Sequence, residues 1–148
     1  MPGKKSYGFF TPAQVINVLF LSKLIYCRMI DTNHQYRINY QILTDCYDEY
    51  EQGQSWTLYL VDNITCPFTA QYTGSSKLSI TANILVTVLE LMNSEYDSEE
   101  DFECFMAMVE VEVGDVIYEI PLADLRVVGA DEKTEQAVAD WKYYINNC

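Results

Sequence analysis

A dense group of carboxylates is the feature of the sequence most suited to chemistry. Residues 93–103, called the acidic loop below, contain six acids and no Lys or Arg: Glu95, Asp97, Glu99, Glu100, Asp101 and Glu103. Like charges at this spacing repel one another, and hard divalent cations prefer carboxylate oxygens as ligands. The acidic loop is therefore a candidate cation site, although such runs are also typical of solvated surface loops.

Two further acids are predicted to face each other across a hairpin. The patterns of Phe102–Val113 and Val116–Ile120 predict two strands, and Gly114 begins a two-residue turn between them. This register puts Glu110 directly opposite Glu119, where like charges destabilise the pair. A cation bound beside them would relieve that repulsion.

Asp62 is the third candidate ligand position. It lies in the last turn of a helix predicted over Trp56–Ile64, where a carboxylate meets the negative end of the helix dipole. Calcium accepts about six to eight oxygen ligands at flexible angles, whereas magnesium keeps its waters. An EF-hand loop pattern is absent, so separate parts of the chain would have to supply the site. The predicted calcium ligands are Asp62, Glu95, Asp97, Glu99, Glu100, Asp101, Glu110 and Glu119.

The distribution of charge argues against nucleic acid as a partner. The chain has 148 residues, 49% of them hydrophobic, and a net charge of -13, which indicates a globular domain of ordinary size. Residues 1–37 carry +4 and residues 38–148 carry -17. Because so negative a surface repels phosphates, we expect it to attract cations or basic proteins instead.

The cysteines and the single histidine indicate neither zinc nor catalysis. Five cysteines show no CxxC pair, and His34 is the only histidine. Reduced thiols in a cytoplasmic protein fit this usage better than a zinc site. A Cys–His pair from distant positions is a weaker alternative, and a hydrolase with paired carboxylates lacks a positioned nucleophile. We therefore expect a protein that is not an enzyme.

The order of predicted elements indicates an α+β fold. A basic, apolar helical extension is predicted over residues 1–37, with a helix starting at Thr11 and Pro12, and membrane association is its weaker interpretation. In the acidic domain, residues 38–148, a helix over Tyr40–Glu51 and the Trp56–Ile64 helix, capped by Ser55, precede about five short strands. A final helix capped by Asp131 follows. Short strands with tight turns favour a small curled antiparallel sheet or partial barrel.

Four segments resemble, in order, the cyanobacterial calcium-binding protein CcbP family. They are Trp56–Ala70 with its Pro-Phe-Thr-Ala motif, Glu110–Asp115, Glu119–Leu125, and Ala137–Tyr144 with Ala-Asp-Trp-Lys-Tyr. The resemblance implies an SH3-like curled sheet that binds calcium without an EF-hand, and a link to calcium buffering in heterocyst differentiation. The resemblance implies that Asp62 is a ligand position. The acidic loop resembles the family only as an acidic region and not residue by residue. Cys66 departs from the family, which has Phe there.

Together these features predict a monomeric calcium buffer in the cytoplasm that works through clustered surface carboxylates. Asp124 and Asp140 are assigned to structure, at a turn and on a helix surface, rather than to the site. The alternative function is an acidic SH3-like interaction module, which could mimic nucleic acid toward a basic partner. The sequence indicates no specific protein partner.

Overall fold

The computed structural model describes residues 21–23, 25, 33–74, 80, 82–92 and 105–147. The chain divides into two compact units, Met1–Tyr36 and Arg37–Cys148, and the second carries the elements below. The predicted helix start at Thr11 and most of the predicted 1–37 extension lie outside the described residues, as does the acidic loop. The predicted domain boundary after residue 37 stays a prediction.

The first long helix, α1, spans Glu49–Asn63 and begins earlier than the sequence predicts. The Asp48 side chain caps it by accepting a 2.8 Å hydrogen bond from the Glu51 N–H, and the Glu51 carboxylate accepts one of 2.7 Å from the Tyr47 N–H. The predicted continuous Tyr40–Glu51 helix is wrong, because residues 43–48, between the π-helical turn Ile38–Ile42 and α1, are not helical. The predicted Ser55 cap is wrong because Ser55 lies inside α1.

The second helix, α2, spans Glu132–Asn147 and begins as predicted. Asp131 caps it by accepting a 2.9 Å hydrogen bond from the Thr134 N–H. The hydroxyl and the N–H of Thr134 both hydrogen bond to this carboxylate, and they hold the pKa of Asp131 below its usual value. The buried stripe of α2 faces the sheet and comprises Thr134, Ala137, Val138 and Trp141.

Five strands form an open antiparallel sheet in the order β4-β3-β2-β1-β5. They span Phe68–Tyr72, Leu85–Leu91, Met108–Val113, Val116–Pro121 and Leu125–Gly129, numbered β1 to β5 along the chain. The predicted start of β3 at Phe102 is too early, because residues 105–107 are not in a strand and 102–104 are outside the described residues. The α+β fold with a final helix is confirmed.

The sheet must be strongly curved, because a short segment joins its two edges. Strands β4 and β5 lie at opposite edges, which in a flat sheet would be about 19 Å apart at about 4.8 Å per strand. Only the 3-10 turn Leu122–Asp124 connects them, and four residue steps reach at most about 14 Å. Backbone bonds from Leu122 N–H to Ala107 O (2.8 Å) and from Thr73 N–H to Asp124 O (2.7 Å) attach this turn to the segment before β3 and to the end of β1.

The core fills the inner face of this curved sheet under both helices. Trp56 and Leu60 of α1 and Trp141 of α2 pack there against buried valines of the strands. The Trp56 and Trp141 rings meet edge to face with centroids 5.1 Å apart. The alternation along β3, with Val109 and Val111 fully buried, leaves the opposite face of the sheet to polar residues. Within the described ranges, no helix has the length and apolar character needed to cross a membrane.

Candidate metal site

The β3–β4 hairpin places Glu110 directly opposite Glu119, as predicted. Gly114 provides the turn with a φ of 62°, a conformation that favours glycine. The register pairs Val113 with Val116 and Val109 with Ile120, and Val109 and Ile120 are fully buried. Glu110 and Glu119 therefore share the outer face of the sheet, where Glu110 is half-buried and Glu119 exposed.

Glu90 extends this pair to a row of acids across three adjacent strands. It pairs with Glu110 between β2 and β3, beside a register shift between Val88 and Glu90. The name carboxylate row is used below for Glu90, Glu110 and Glu119. Strands β2, β3 and β4 contain no Lys or Arg. Each opposed pair costs a few tenths of a kcal/mol up to about 1 kcal/mol, which a bound cation would offset.

Sequence reasoning missed Glu90 because the β2–β3 register could not be read from the chain. The hairpin register follows from a two-residue turn, whereas β2 and β3 are joined by residues 92–107 and shifted by the irregularity at Val88. The available signal was that Glu90 is the one acid in a mostly apolar strand. Regular alternation would have placed it on the core face with Val86 and Val88, so its position beside Glu110 depends on the irregularity.

The connection that contains the acidic loop leaves β2 and enters β3 next to the carboxylate row. Glu90 lies one residue before the end of β2, and Glu110 lies two residues after the start of β3. A 2.9 Å hydrogen bond from the Met92 N–H to the Met108 carbonyl closes the base of this connection. The loop acids Glu95, Asp97, Glu99, Glu100 and Asp101 lie outside the described residues, so their role as ligands stays a prediction.

Asp62 lies near the end of α1, apart from the three strands that carry the carboxylate row. It is exposed in the last turn of α1, as predicted. The neighbouring Asn63 carbonyl lies 3.4 Å from the Thr134 hydroxyl, which is itself 3.0 Å from an Asp131 oxygen. The α1 C-terminus carrying Asp62 therefore meets the α2 N-terminus carrying Asp131, a juxtaposition that the sequence did not predict. Asp62 and the row acids are not brought together into a group of three ligands in the described part of the chain.

The described residues do not form a complete metal cage by themselves. Among them, no three His, Cys, Asp or Glu side chains converge closely enough to hold a metal ion. Burial raises the pKa of the Cys66 thiol next to Glu90, so Cys66 stays protonated rather than becoming a soft thiolate ligand. The donors available at the row are therefore carboxylates, which suit calcium, and a full shell would need oxygens from the acidic loop or water.

Asp140 is buried, which corrects its assignment to a helix surface. Its carboxylate is fully buried and accepts two hydrogen bonds from Arg37, 2.9 Å from Nε and 2.7 Å from Nη2. The Tyr59 hydroxyl donates a third, at 2.7 Å. Burial, together with this bond, raises the pKa of Tyr59 to about 12. These contacts make Asp140 a structural anchor between α1, α2 and the segment at Arg37.

Comparison with known proteins agrees with calcium as the ion suited to the carboxylates of the row. A family model named for CcbP and described as calcium binding matches residues 36–145. The chain belongs to this calcium-binding family. The crystal structure of Anabaena CcbP is similar, with 30% identity and a TM-score of 0.61 over 77% of this chain and 89% of that one. No curated protein sequence gave a match.

A second solved structure is of a calcium binding protein in the calcium-binding form. It shares 27% identity with this chain, with a TM-score of 0.58 over 77% of this chain and 90% of that one. The family match and these structures confirm the resemblance predicted from Trp56–Tyr144, and they confirm calcium as the ion. The CcbP family is a class of binding proteins rather than of enzymes.

The role of Asp62 can be tested separately, because it lies apart from the carboxylate row. If Asp62 is a ligand, Asp62→Asn should remove or weaken one site by about tenfold, since one carboxylate charge is lost. Calcium titration by calorimetry measures both stoichiometry and affinity. Glu49→Gln, an exposed acid at the other end of α1, is the matched control. Unchanged binding in Asp62→Asn would remove Asp62 from the ligand set.

Proposed function

We propose that the chain is a reversible calcium buffer whose ions are held by the carboxylate row together with the acidic loop. One observation carries the proposal: three neighbouring strands bring Glu90, Glu110 and Glu119 side by side on one exposed face. These acids repel one another in a sheet region without a Lys or Arg. A divalent cation bound beside these carboxylates would neutralise their mutual repulsion, and relief of that repulsion would contribute to its binding.

The geometry of the row favours calcium over magnesium. The row runs across a sheet, so its oxygens are spaced by the strand separation of about 4.8 Å rather than set at octahedral corners. Magnesium requires near-ideal octahedral geometry and loses its waters reluctantly, whereas calcium accepts irregular shells of longer bonds. An exposed site without a closed cage should bind calcium in the micromolar to submillimolar range, roughly.

The rigid hairpin under the carboxylate row suits a calcium buffer better than a calcium sensor. A calcium sensor moves two helices apart and exposes an apolar groove. Here Glu110 and Glu119 are fixed by a hairpin whose inner face, at Val109 and Ile120, is fully buried. Calcium at the row would therefore change charge without repacking the core. Free thiols at Cys46 and Cys66 support the proposal of a cytoplasmic site of action, where we propose that it acts as a monomer.

Thermal unfolding with different cations tests the function on the full chain. Calcium at about one hundred times its Kd should stabilise the chain by about 2.7 kcal/mol. This should raise the melting temperature by roughly 10 °C for a chain of this size. The same concentration of magnesium should give much less, because it keeps its waters.

Potassium chloride at matched ionic strength is the control for screening alone. Screening weakens repulsion among all surface carboxylates and is not specific for an ion. Equal stabilisation by calcium and by the matched potassium salt would contradict a calcium site. It would favour the alternative function, an acidic interaction module for a basic partner.

A further inference from the structure

A small cavity lies between α2 and the edge strand β5, away from the carboxylate row. Its volume is about 220 Å³. Four of its lining residues are apolar: Leu125, Val127, Val138 and Ala139. Three are charged, namely Arg126, Glu135 and Lys142. The cavity is therefore amphipathic, with an apolar wall and a charged rim that is cationic on balance.

The two cations at this cavity stand out in so acidic a domain. Residues 38–148 contain only four bases, and Arg126 and Lys142 are two of them. Arg126 donates to the neutral amide oxygen of Gln71, and Lys142 Nζ donates to the Leu125 carbonyl at 2.9 Å. Within the part of the chain that the structure describes, neither forms an ion pair with a carboxylate. Their positive charge is thus left for another group.

Lys142 is held where its charge is poorly compensated. It is half-buried, and burial lowers its pKa, as does the nearby charge of Arg126, while Asp124 acts in the opposite direction. The ammonium has three N–H donors, and the Leu125 carbonyl accepts one of them. An anion in the cavity would accept the remaining donors and offset the cost of burying this charge.

The outer edge of β5 adds a backbone donor to the same cavity. Among the described strands, β5 is the last of the sheet, and its Leu125 carbonyl points to the outer edge, where Lys142 binds it. Alternate residues of a strand direct their backbone groups to the same side. The N–H of Val127, two residues later, therefore points toward α2 and the cavity. The arrangement offers a cationic pair and an N–H beside an apolar wall.

We propose that this cavity binds a small organic anion, a monocarboxylate with a short aliphatic tail. The carboxylate contacts Lys142 and the Val127 N–H within the field of the Arg126 charge, and the tail packs against Val138 and Ala139. Glu135, on the same rim, disfavours ligands with a second negative charge. The site is separate from the carboxylate row, so its occupation does not depend on the proposed calcium function.

Hexanoate is a suitable probe, and binding can be followed by amide chemical shifts of the full chain without calcium. We expect saturable shifts at Val127, Val138, Ala139 and Lys142, with a Kd on the order of millimolar for so few contacts. Hexan-1-ol, which has the same tail and no charge, should bind about tenfold or more weakly. Hexylamine should not bind measurably, because the cationic pair repels it.

Four variants separate the charge from the cavity itself. Lys142→Met and Arg126→Gln should each weaken hexanoate binding by about fivefold or more, and Ala139→Leu, which fills the cavity, should abolish it. Lys133→Met, on the same helix outside the lining, should bind hexanoate as the unmodified chain does. The melting temperature of each variant shows whether it is folded.

Three results would overturn the proposal. The first is equal affinity for hexanoate and hexan-1-ol, which would make the cavity merely apolar. The second is tighter binding of hexylamine than of hexanoate, which would show that Glu135 rather than the cations sets the charge preference of the cavity. The third is a folded Lys142→Met or Ala139→Leu variant with unchanged hexanoate affinity.

Discussion

Replacing Arg37 with Met should cost about 3–5 kcal/mol of unfolding free energy, because it leaves the fully buried Asp140 carboxylate without its cation. Arg37 makes two hydrogen bonds to this carboxylate, and the Arg37 side chain is itself only 20% exposed. The hydrogen bond from the Tyr59 hydroxyl to this carboxylate would remain. Since small domains are stable by about 5–15 kcal/mol in total, this loss is measurable by urea unfolding.

A double variant identifies the cause of this loss. In Arg37→Met/Asp140→Leu neither charge of this pair remains, so at least half of the lost stability should return. Arg126→Met makes the same substitution at an exposed arginine and should stay within about 0.5 kcal/mol of the unmodified chain. A cost below about 1 kcal/mol for Arg37→Met would show that the pair contributes little.

The same contact bears on where the domain can be cut. The predicted acidic domain begins at residue 38, and a chain starting there would lack the partner of Asp140. The compact second unit begins at Arg37, and the family match begins at residue 36. Truncated forms meant to test calcium binding should therefore keep Arg37.

The sequence was sufficient where local chemistry decides the structure. The hairpin register follows from the two-residue turn at Gly114, and the α2 start follows from the Asp131 cap, so both were predictable. The α1 start was not, because Ser55 and Asp48 are both plausible caps. Only the reciprocal bonds of Asp48 and Glu51 favour the earlier position.

Long-range contacts explain what the sequence could not provide. Asp140 lies in α2 between the exposed Ala139 and the buried Trp141, and helical spacing alone does not say that Arg37, 103 residues away, approaches it. Glu90 was missed for a similar reason, since its partner in β3 depends on a shifted register. Both errors concern charged residues whose partners are distant in sequence, where hydrophobic periodicity carries no information.

Neutralising the carboxylate row should remove the stabilisation that calcium gives. In Glu90→Gln/Glu110→Gln/Glu119→Gln, calcium at about one hundred times the Kd of the unmodified chain should no longer add its about 2.7 kcal/mol. Without calcium, the same variant should be more stable than the unmodified chain by about 0.5–1.5 kcal/mol, because two opposed like-charge pairs are gone. The two effects have opposite signs, so a nonspecific folding defect cannot imitate them.

A matched triple variant controls for the change in net charge. Glu49→Gln/Asp115→Asn/Glu132→Gln removes three exposed acids outside the row. It should keep the calcium-dependent rise in melting temperature and should not gain stability without calcium, since Glu49 and Glu132 lie favourably at helix N-termini. If the row variant retained the full calcium effect, the acidic loop would have to bind the ion without the sheet, because the row would then supply none of the ligands.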